Sequence, residues 1–271
     1  MRFGDAIRWI GYRVDRTRVL PGEAFGVTLY WQGLRPMTAN YSAFVKLYAR
    51  GGALAAGLDT YPGGGMWQTT RWAPGEIIAD HYQLRLSDGL STPAALRMDV
   101  GFWDFETRQY LDTFDAAGQP TGRQRYEAAG LAERAAGSGQ PAQGQRLSHA
   151  APVSQTIEQR DGRLLVATRW LATEDFGEAF TIFMHLVGPD GTLIAQADGP
   201  AAGGEFPVQW WRAGDMIDDA RAIDLPAGLP PGQYQIKFGF YRPGDGWRLP
   251  ATDARGQPLP DAALVADVAL R

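Results

Sequence analysis

The stretch DTYPGGGMWQTTRWAPGEIIAD (residues 59–80) returns later in the chain as DGPAAGGEFPVQWWRAGDMIDD (residues 198–219). The offset is 139 residues throughout: Asp59 meets Asp198, Gly64 and Gly65 meet Gly203 and Gly204, Trp72 meets Trp211, Gly75 meets Gly214 and Asp80 meets Asp219. The same offset holds upstream, where Trp31 meets Trp170, Phe44 meets Phe183 and Leu47 meets Leu186. Downstream it becomes 138, pairing the GFW at Gly101 with the GFY at Gly239 and the DAAGQP at Asp115 with the DARGQP at Asp253. An ungapped match of this length marks an internal duplication, which outranks any local reading of the chain. It implies a first domain over 1–134, a linker over 135–146 and a second domain over 147–271. The linker sequence AAGSGQPAQGQR has the Gly, Ala, Ser and Gln content of a flexible connector.

Within each copy the apolar residues alternate, the period of a strand with one buried face. Phe25, Val27, Leu29 and Trp31 share a face, as do Leu164, Val166, Thr168 and Trp170. The next strand sets Tyr41, Ala43, Val45 and Leu47 inward, matched by Phe180, Ile182, Met184 and Leu186. Ile78, Tyr82, Leu84 and Leu86 match Ile217, Arg221, Ile223 and Leu225, and Leu96, Met98, Val100 and Phe102 match Tyr234, Ile236, Phe238 and Phe240. A slip of one residue would turn each of these faces to water, so the shared phase is a constraint on register. Gly- and Pro-containing turns recur roughly every 8–12 residues, and about eight strands fit in each copy. The fold class is all-β: two tandem antiparallel β-sandwich domains, jelly-roll or immunoglobulin-like. The segment 125–136 has helical composition, yet it aligns with the alternating C-terminus, and both are read as closing strands.

Composition excludes several functions. The formal net charge of -4, with Lys46 and Lys237 the only lysines, gives no broad basic surface for nucleic acid. There are no cysteines among the 271 residues, so disulfides and thiolate metal sites are absent. No apolar run of about 18 residues is present, so direct membrane insertion is not expected. No charged-then-apolar leader opens the chain, and Met1 reads as the start of an excised fragment.

Residues kept in both copies read as structural: Trp31, Trp72, Trp170 and Trp211 as core or as plugs of a sandwich end, and Asp80 and Asp219 as acceptors of loop backbone N–H groups. The glycine run at 63–65 lacks the lysine and following helix of a phosphate loop. Asp59, Asp80, Asp198 and Asp219 offer oxygen ligands, but no D-x-D-x-D-G calcium loop is present, and neither a metal nor a cofactor is expected. His81, His149 and His185 do not recur between the copies, and no nucleophile–base pattern accompanies them, so no catalytic residue is assigned. A paired-carboxylate glycosidase stays open, since the sequence does not give carboxylate separation.

Loop aromatics are the candidate ligand surface. Tyr61, Trp67, Trp210 and Trp247 are the binding candidates, with Phe206 beside them. The alternative is that these rings cover the core, the commoner use of large aromatics. A second set, Phe44, Tyr48 and Trp103 with their matches Phe183, Val187 and Tyr241, falls on the outward phase. Outward apolar residues kept in both copies imply a cover, by a loop or by the other copy.

The order of motifs carries a family likeness. A Tyr30-Trp31 strand is followed by F-V-K-L at 44–47, D-x-x-P-x-G-G at 59–65, W-x-P-G-E-x-I-x-D at 72–80, G-F-W-D at 101–104 and R-Q-Y-L at 108–111. This resembles the soluble C-terminal region of bacterial membrane proteins similar to glycosyltransferase family 39, the protein mannosyltransferase-like enzymes. The resemblance implies β-sandwich modules that follow a multi-helix membrane part, outside the cytoplasm, at the cell surface or in the periplasm. The catalytic acidic residues of that family lie in the membrane part, so none transfers to this chain. The partners implied are a glycan or the membrane part of the parent protein. The second copy departs from the motif at Arg169, where the first has Tyr30, and at Asp218, where the first has Ala79, which implies diverging roles. A free carbohydrate-binding protein and an enzyme with an unrecognised site are the two alternatives.

Overall fold

The computed structural model describes residues 1–121, 126–132 and 144–271. The chain is all-β, and its strands form antiparallel sheets with no α-helix among the described residues. It divides into two compact units, Met1–Glu133 and Arg134–Arg271. Most of the expected linker, 135–143, lies outside the described residues; its last residue, Arg146, already belongs to a strand.

The first unit contains β1 (Arg2–Phe3), β2 (Ile7–Val14), β3 (Ala24–Gly33), β4 (Tyr41–Tyr48), β5 (Leu54–Thr60), β6 (Ile77–Arg85), β7 (Ala95–Asp104), β8 (Thr113–Phe114) and β9 (Tyr126–Ala132). One sheet runs β6-β3-β2-β1-β8 and the other β5-β4-β7-β9. Along β3 the burial alternates residue by residue, with Phe25, Val27, Leu29 and Trp31 inside. The two sheets meet through aromatic rings: Trp31 of β3 lies 4.6 Å from Phe102 of β7, edge to face, the geometry the ring quadrupoles favour. The inner faces thus enclose one hydrophobic core, in the manner of a β-sandwich.

The second unit contains β10 (Arg146–Leu147), β11 (Ala150–Arg160), β12 (Arg163–Ala172), β13 (Thr181–Val187), β14 (Leu193–Gln196), β15 (Met216–Asp224), β16 (Gly232–Tyr241), β17 (Ala251–Thr252) and β18 (Leu264–Leu270). Its sheets run β11-β12-β15 and β14-β13-β16-β18, with β10 paired to β17. Trp170 of β12 packs 5.0 Å from Phe240 of β16, the counterpart of the Trp31–Phe102 contact. Over the described residues both closing segments are strands: β9 pairs with β7, and β18 with β16, while 125 and 133–136 of the first lie outside the described residues. Tertiary pairing has overridden the helical composition of the first. The β11–β12 hairpin turns on Asp161 and Gly162, both at positive φ, the Asp-Gly signature that matches strand twist.

The departures at positions 30 and 169 have a cross-strand explanation. Tyr30 faces Ala79 in the β3–β6 pairing, and Arg169 faces Asp218 in the β12–β15 pairing. The Arg169 guanidinium grips Asp218 with two hydrogen bonds, 2.7 and 2.8 Å, and holds that carboxyl below its ordinary range. One neighbouring pair has therefore been exchanged for another as a unit.

Two of the outward aromatics, Phe44 and Phe183, are covered from within their own unit. Phe44 is only 4 % exposed and Phe183 is fully buried, although both point away from the core. Tyr110 meets Phe44 edge to face at 5.8 Å. The Arg248 guanidinium lies over Phe183 at 4.2 Å, while Gly239 beneath it leaves the ring its space.

Candidate functional site

The repeated loop is built on backbone that few residues tolerate. Gly63, Gly64 and Gly65 all have positive φ, and so do Ala202, Gly203 and Gly204 at the matching positions. Such a run needs glycine or a strong external clamp. The clamp is a carboxylate: the Gly63 N–H donates to Asp80 at 2.7 Å, and the Ala202 N–H donates to Asp219 at 2.9 Å. Both aspartates are buried, at 1 % and 2 % exposure.

The two tryptophans of the motif close the same loops. The Trp72 indole N–H donates to the Trp67 carbonyl at 3.1 Å, and the Trp211 indole N–H donates to the Phe206 carbonyl at 3.1 Å. Each ring is buried, and each packs edge-to-face on a core phenylalanine, Phe102 or Phe240. The turn that follows has Gly75 or Gly214 at positive φ in its third position, where only glycine is comfortable. An acidic residue locks it: Glu76 accepts the Ala73 N–H and Asp215 accepts the Arg212 N–H, each at 2.8 Å. Thr69 ties the first loop to the β3–β4 connection, accepting the Tyr41 N–H at 2.9 Å and donating to the Ala39 carbonyl at 3.0 Å.

The copies differ in what neutralises the buried carboxylate. In the first unit the Tyr82 hydroxyl donates to Asp80. Burial pushes the Asp80 carboxyl above the ordinary Asp range, with the Tyr82 and Gly63 hydrogen bonds pulling the other way. Burial and the adjacent carboxylate together drive the Tyr82 hydroxyl well above its own ordinary value. In the second unit Arg221 takes the place of Tyr82 and pairs with Asp219 at 2.7 Å. Its remaining N–H groups donate to the carbonyls of Ala197, Gly199 and Pro200, each at 3.1 Å. Arg221 is thus an inward strand residue that fastens a second stretch of loop.

The loop aromatics fall into different environments. Trp67 is 49 % exposed and Trp247 46 %, whereas Tyr61 and Trp210 are half-buried. Phe206 is buried at 3 % exposure, so it offers no stacking face, a correction to its reading as a surface loop ring. Trp247 sits over Arg242, with Phe180 6.3 Å away. Asp59 lies 3.2 Å from Lys46 of the neighbouring strand, and Asp198, just past β14, lies 3.3 Å from His185. His81 contacts the Thr28 hydroxyl, and His149 the Ser148 hydroxyl, both at 2.8 Å. Among the described residues no three acidic or histidine side chains converge as a metal site would require.

The G-F-W-D and R-Q-Y-L motifs meet in one hairpin. The hairpin after β7 is closed by the Asp104 N–H to the Gln109 carbonyl at 2.8 Å and the Arg108 N–H to the Asp104 carbonyl at 2.9 Å. The Asp104 carboxylate accepts the Glu106 and Thr107 N–H groups. On this turn Phe105 is 49 % and Tyr110 42 % exposed, beside Trp103. The Arg108 guanidinium lies 4.4 Å from the Phe105 ring centre and 5.4 Å from that of Trp103. The same hairpin after β16 has Gly246 where the first has Arg108, both at positive φ. Arginine in one copy where the other has glycine, both at a left-handed position, is the signal that alignment of the copies carries for this site.

The fold and loops define a class, an all-β chain of sandwich-like sheets whose buried carboxylates fasten loops. No protein-family model matches the chain, and no curated protein matches it. Among the described residues no helix is long and apolar enough to cross a membrane.

Proposed function

We propose that the chain is a noncatalytic accessory module of a membrane glycosyltransferase-like protein, acting outside the cytoplasm to position a glycan or protein acceptor. Its two units are taken as tandem β-sandwiches of jelly-roll or immunoglobulin-like type. The observation that carries the noncatalytic reading is the employment of Asp80 and Asp219. Both carboxylates are buried, at 1 % and 2 % exposure, and both hold loop backbone, with Tyr82 or Arg221 as the second partner. A carboxylate shut away from water in this manner presents no oxygen to a substrate, which general base or nucleophilic work requires. What the chain offers to water instead is aromatic surface on turns, at Trp67, Phe105 and Trp247. That surface also supports the second reading, a free carbohydrate-binding protein.

The test is a glycan-array screen of the full chain with a parallel assay for release of reducing ends. Binding without hydrolysis is expected. Turnover by the wild-type chain would overturn the noncatalytic reading, and its loss in Asp80→Asn or Asp219→Asn would place the chemistry on those carboxylates. The reading frame upstream of residue 1 separates the two binding readings: several hydrophobic segments support the accessory module, and a cleavable leader alone supports the free protein.

A further inference from the structure

We infer that the hairpin after β7 is a binding site for an acidic saccharide, one whose sugar ring carries a carboxylate, with Phe105 and Tyr110 as stacking surface and Arg108 as its charge anchor. The inference deepens the accessory-module reading and rests on it for one point, that the chain acts by holding a glycan.

Three observations converge on this turn. Phe105 and Tyr110 are each more than two-fifths exposed, and with Trp103 they form a continuous aromatic surface, ring centres 5.6 and 6.3 Å from Trp103. Arg108 is exposed and makes no ion pair among the described residues, but its guanidinium is held in place over Phe105 and Trp103. Stacking on aromatic faces fixes the plane of a guanidinium while leaving its N–H edge free for a carboxylate. The backbone is left-handed at Arg108, φ 61°, a conformation that disfavours a side chain, so the position keeps its arginine against a local penalty.

The second unit supplies the contrast. On its equivalent hairpin glycine relieves the backbone, and the arginine present, Arg242, is neutralised by Asp245 at 2.8 Å and Glu178 at 3.2 Å. Among the described residues, the guanidinium without an ion pair belongs to the first unit's hairpin, where the exposed rings are also denser.

The chemistry selects a sugar acid. A pyranose has an apolar C–H face about the size of one side-chain ring and a hydroxylated rim. It can lie on Phe105 or Tyr110 without leaving polar groups dry. A carboxylate on that ring meets the guanidinium edge in the bidentate geometry that gives arginine its preference for planar anions. The turn is locked by four hydrogen bonds around Asp104, so little ordering is needed on binding.

The test uses calorimetry on the full chain with tetragalacturonate and its methyl ester, which keeps the sugar and removes the charge. Saturable binding of the acid is expected, weakened by added salt, with the ester at least tenfold weaker. Phe105→Ala should abolish it. Arg108→Gly should weaken it at least tenfold while leaving the melting temperature equal or higher, because glycine suits the left-handed position, so misfolding cannot explain the loss. Equal affinity for acid and ester, an Arg108→Gly protein that binds like the wild type, or no binding of tetragalacturonate would each overturn the inference. Ester binding that is lost in Trp67→Ala or Trp247→Ala would overturn the acidic site while leaving the accessory-module reading standing.

Discussion

The Trp67 indole lies so close over Gly63 that a methyl group on Gly63 would stand 1.9 Å from its Cδ1 atom. At the matching place in the second unit Ala202 carries that methyl group at φ 49°, and the ring there, Phe206, is buried. Glycine and exposed tryptophan thus go together, as do alanine and buried phenylalanine. Gly63→Ala should destabilise the first unit by about 1–2 kcal/mol from the left-handed backbone alone, and by more while Trp67 keeps its place. Adding Trp67→Phe should recover part of the loss, with a coupling above about 0.5 kcal/mol in a denaturation double-mutant cycle. Strict additivity would refute the contact.

Asp80 gives stability a definite pH dependence. Its native carboxyl titrates above the ordinary Asp range, burial being the main cause. The native state therefore holds its proton in the window between the unfolded value and the raised native one. Stability falls as pH rises through that window and levels off above it. Asp80→Asn keeps an acceptor for the Gly63 N–H and removes the titration. Urea midpoints measured from pH 4 to 7 should show this component of the slope in the wild type and not in the variant.

Arg221 is the partner without which Asp219 would be a buried, unneutralised charge. Arg221→Ala should destabilise by about 3–5 kcal/mol, the usual result of removing one member of a buried pair. Arg221→Tyr, which installs the residue the first unit uses beside Asp80, should be tolerated better. If tyrosine and alanine lower the melting temperature equally, the Tyr82–Asp80 arrangement is not transferable.

Trp72 and Trp211 fill equivalent core positions and donate equivalent hydrogen bonds. Either change to alanine should cost about 3–5 kcal/mol. Phenylalanine at the same sites keeps an aromatic ring and loses the N–H to the loop carbonyl, so a smaller decrement is expected from chemical denaturation.

Much of the strand pattern was readable from the residues because burial alternates with the period the strand geometry dictates, as along Phe25, Val27, Leu29 and Trp31. The aspartates at strand starts could be placed beside the loop because their inward phase forbids water as a partner. Phe206 could not be placed the same way, because a turn residue has no period. Arg108 and Tyr110 stand in the R-Q-Y-L motif, yet their grouping with Phe105 follows from the tight turn over 104–109, which has no sequence period to reveal it. The covering of Phe44 by Tyr110 and of Phe183 by Arg248 arises from hairpins folding back over the sheet, which no local pattern encodes.

The exchanged pair, Tyr30 and Ala79 in one unit, Arg169 and Asp218 in the other, also bears on how the chain reaches its native state. Two units whose central strands pair in the same order, β6-β3-β2 and β15-β12-β11, offer each other's strands as partners while both are unfolded, a recognised route to misassembly in repeat proteins. A hybrid of β3 with β15 would set Tyr30 against Asp218, and a hybrid of β12 with β6 would set Arg169 against Ala79. Each charge would lose its cross-strand match, and the native pairing alone restores both. Replacing the second pair by Tyr and Ala should accordingly lower the yield of monomer on refolding from urea, read by size-exclusion chromatography, with little change in the native melting temperature. Divergence between the copies then serves as a parity mark, telling each strand which sandwich it was made for.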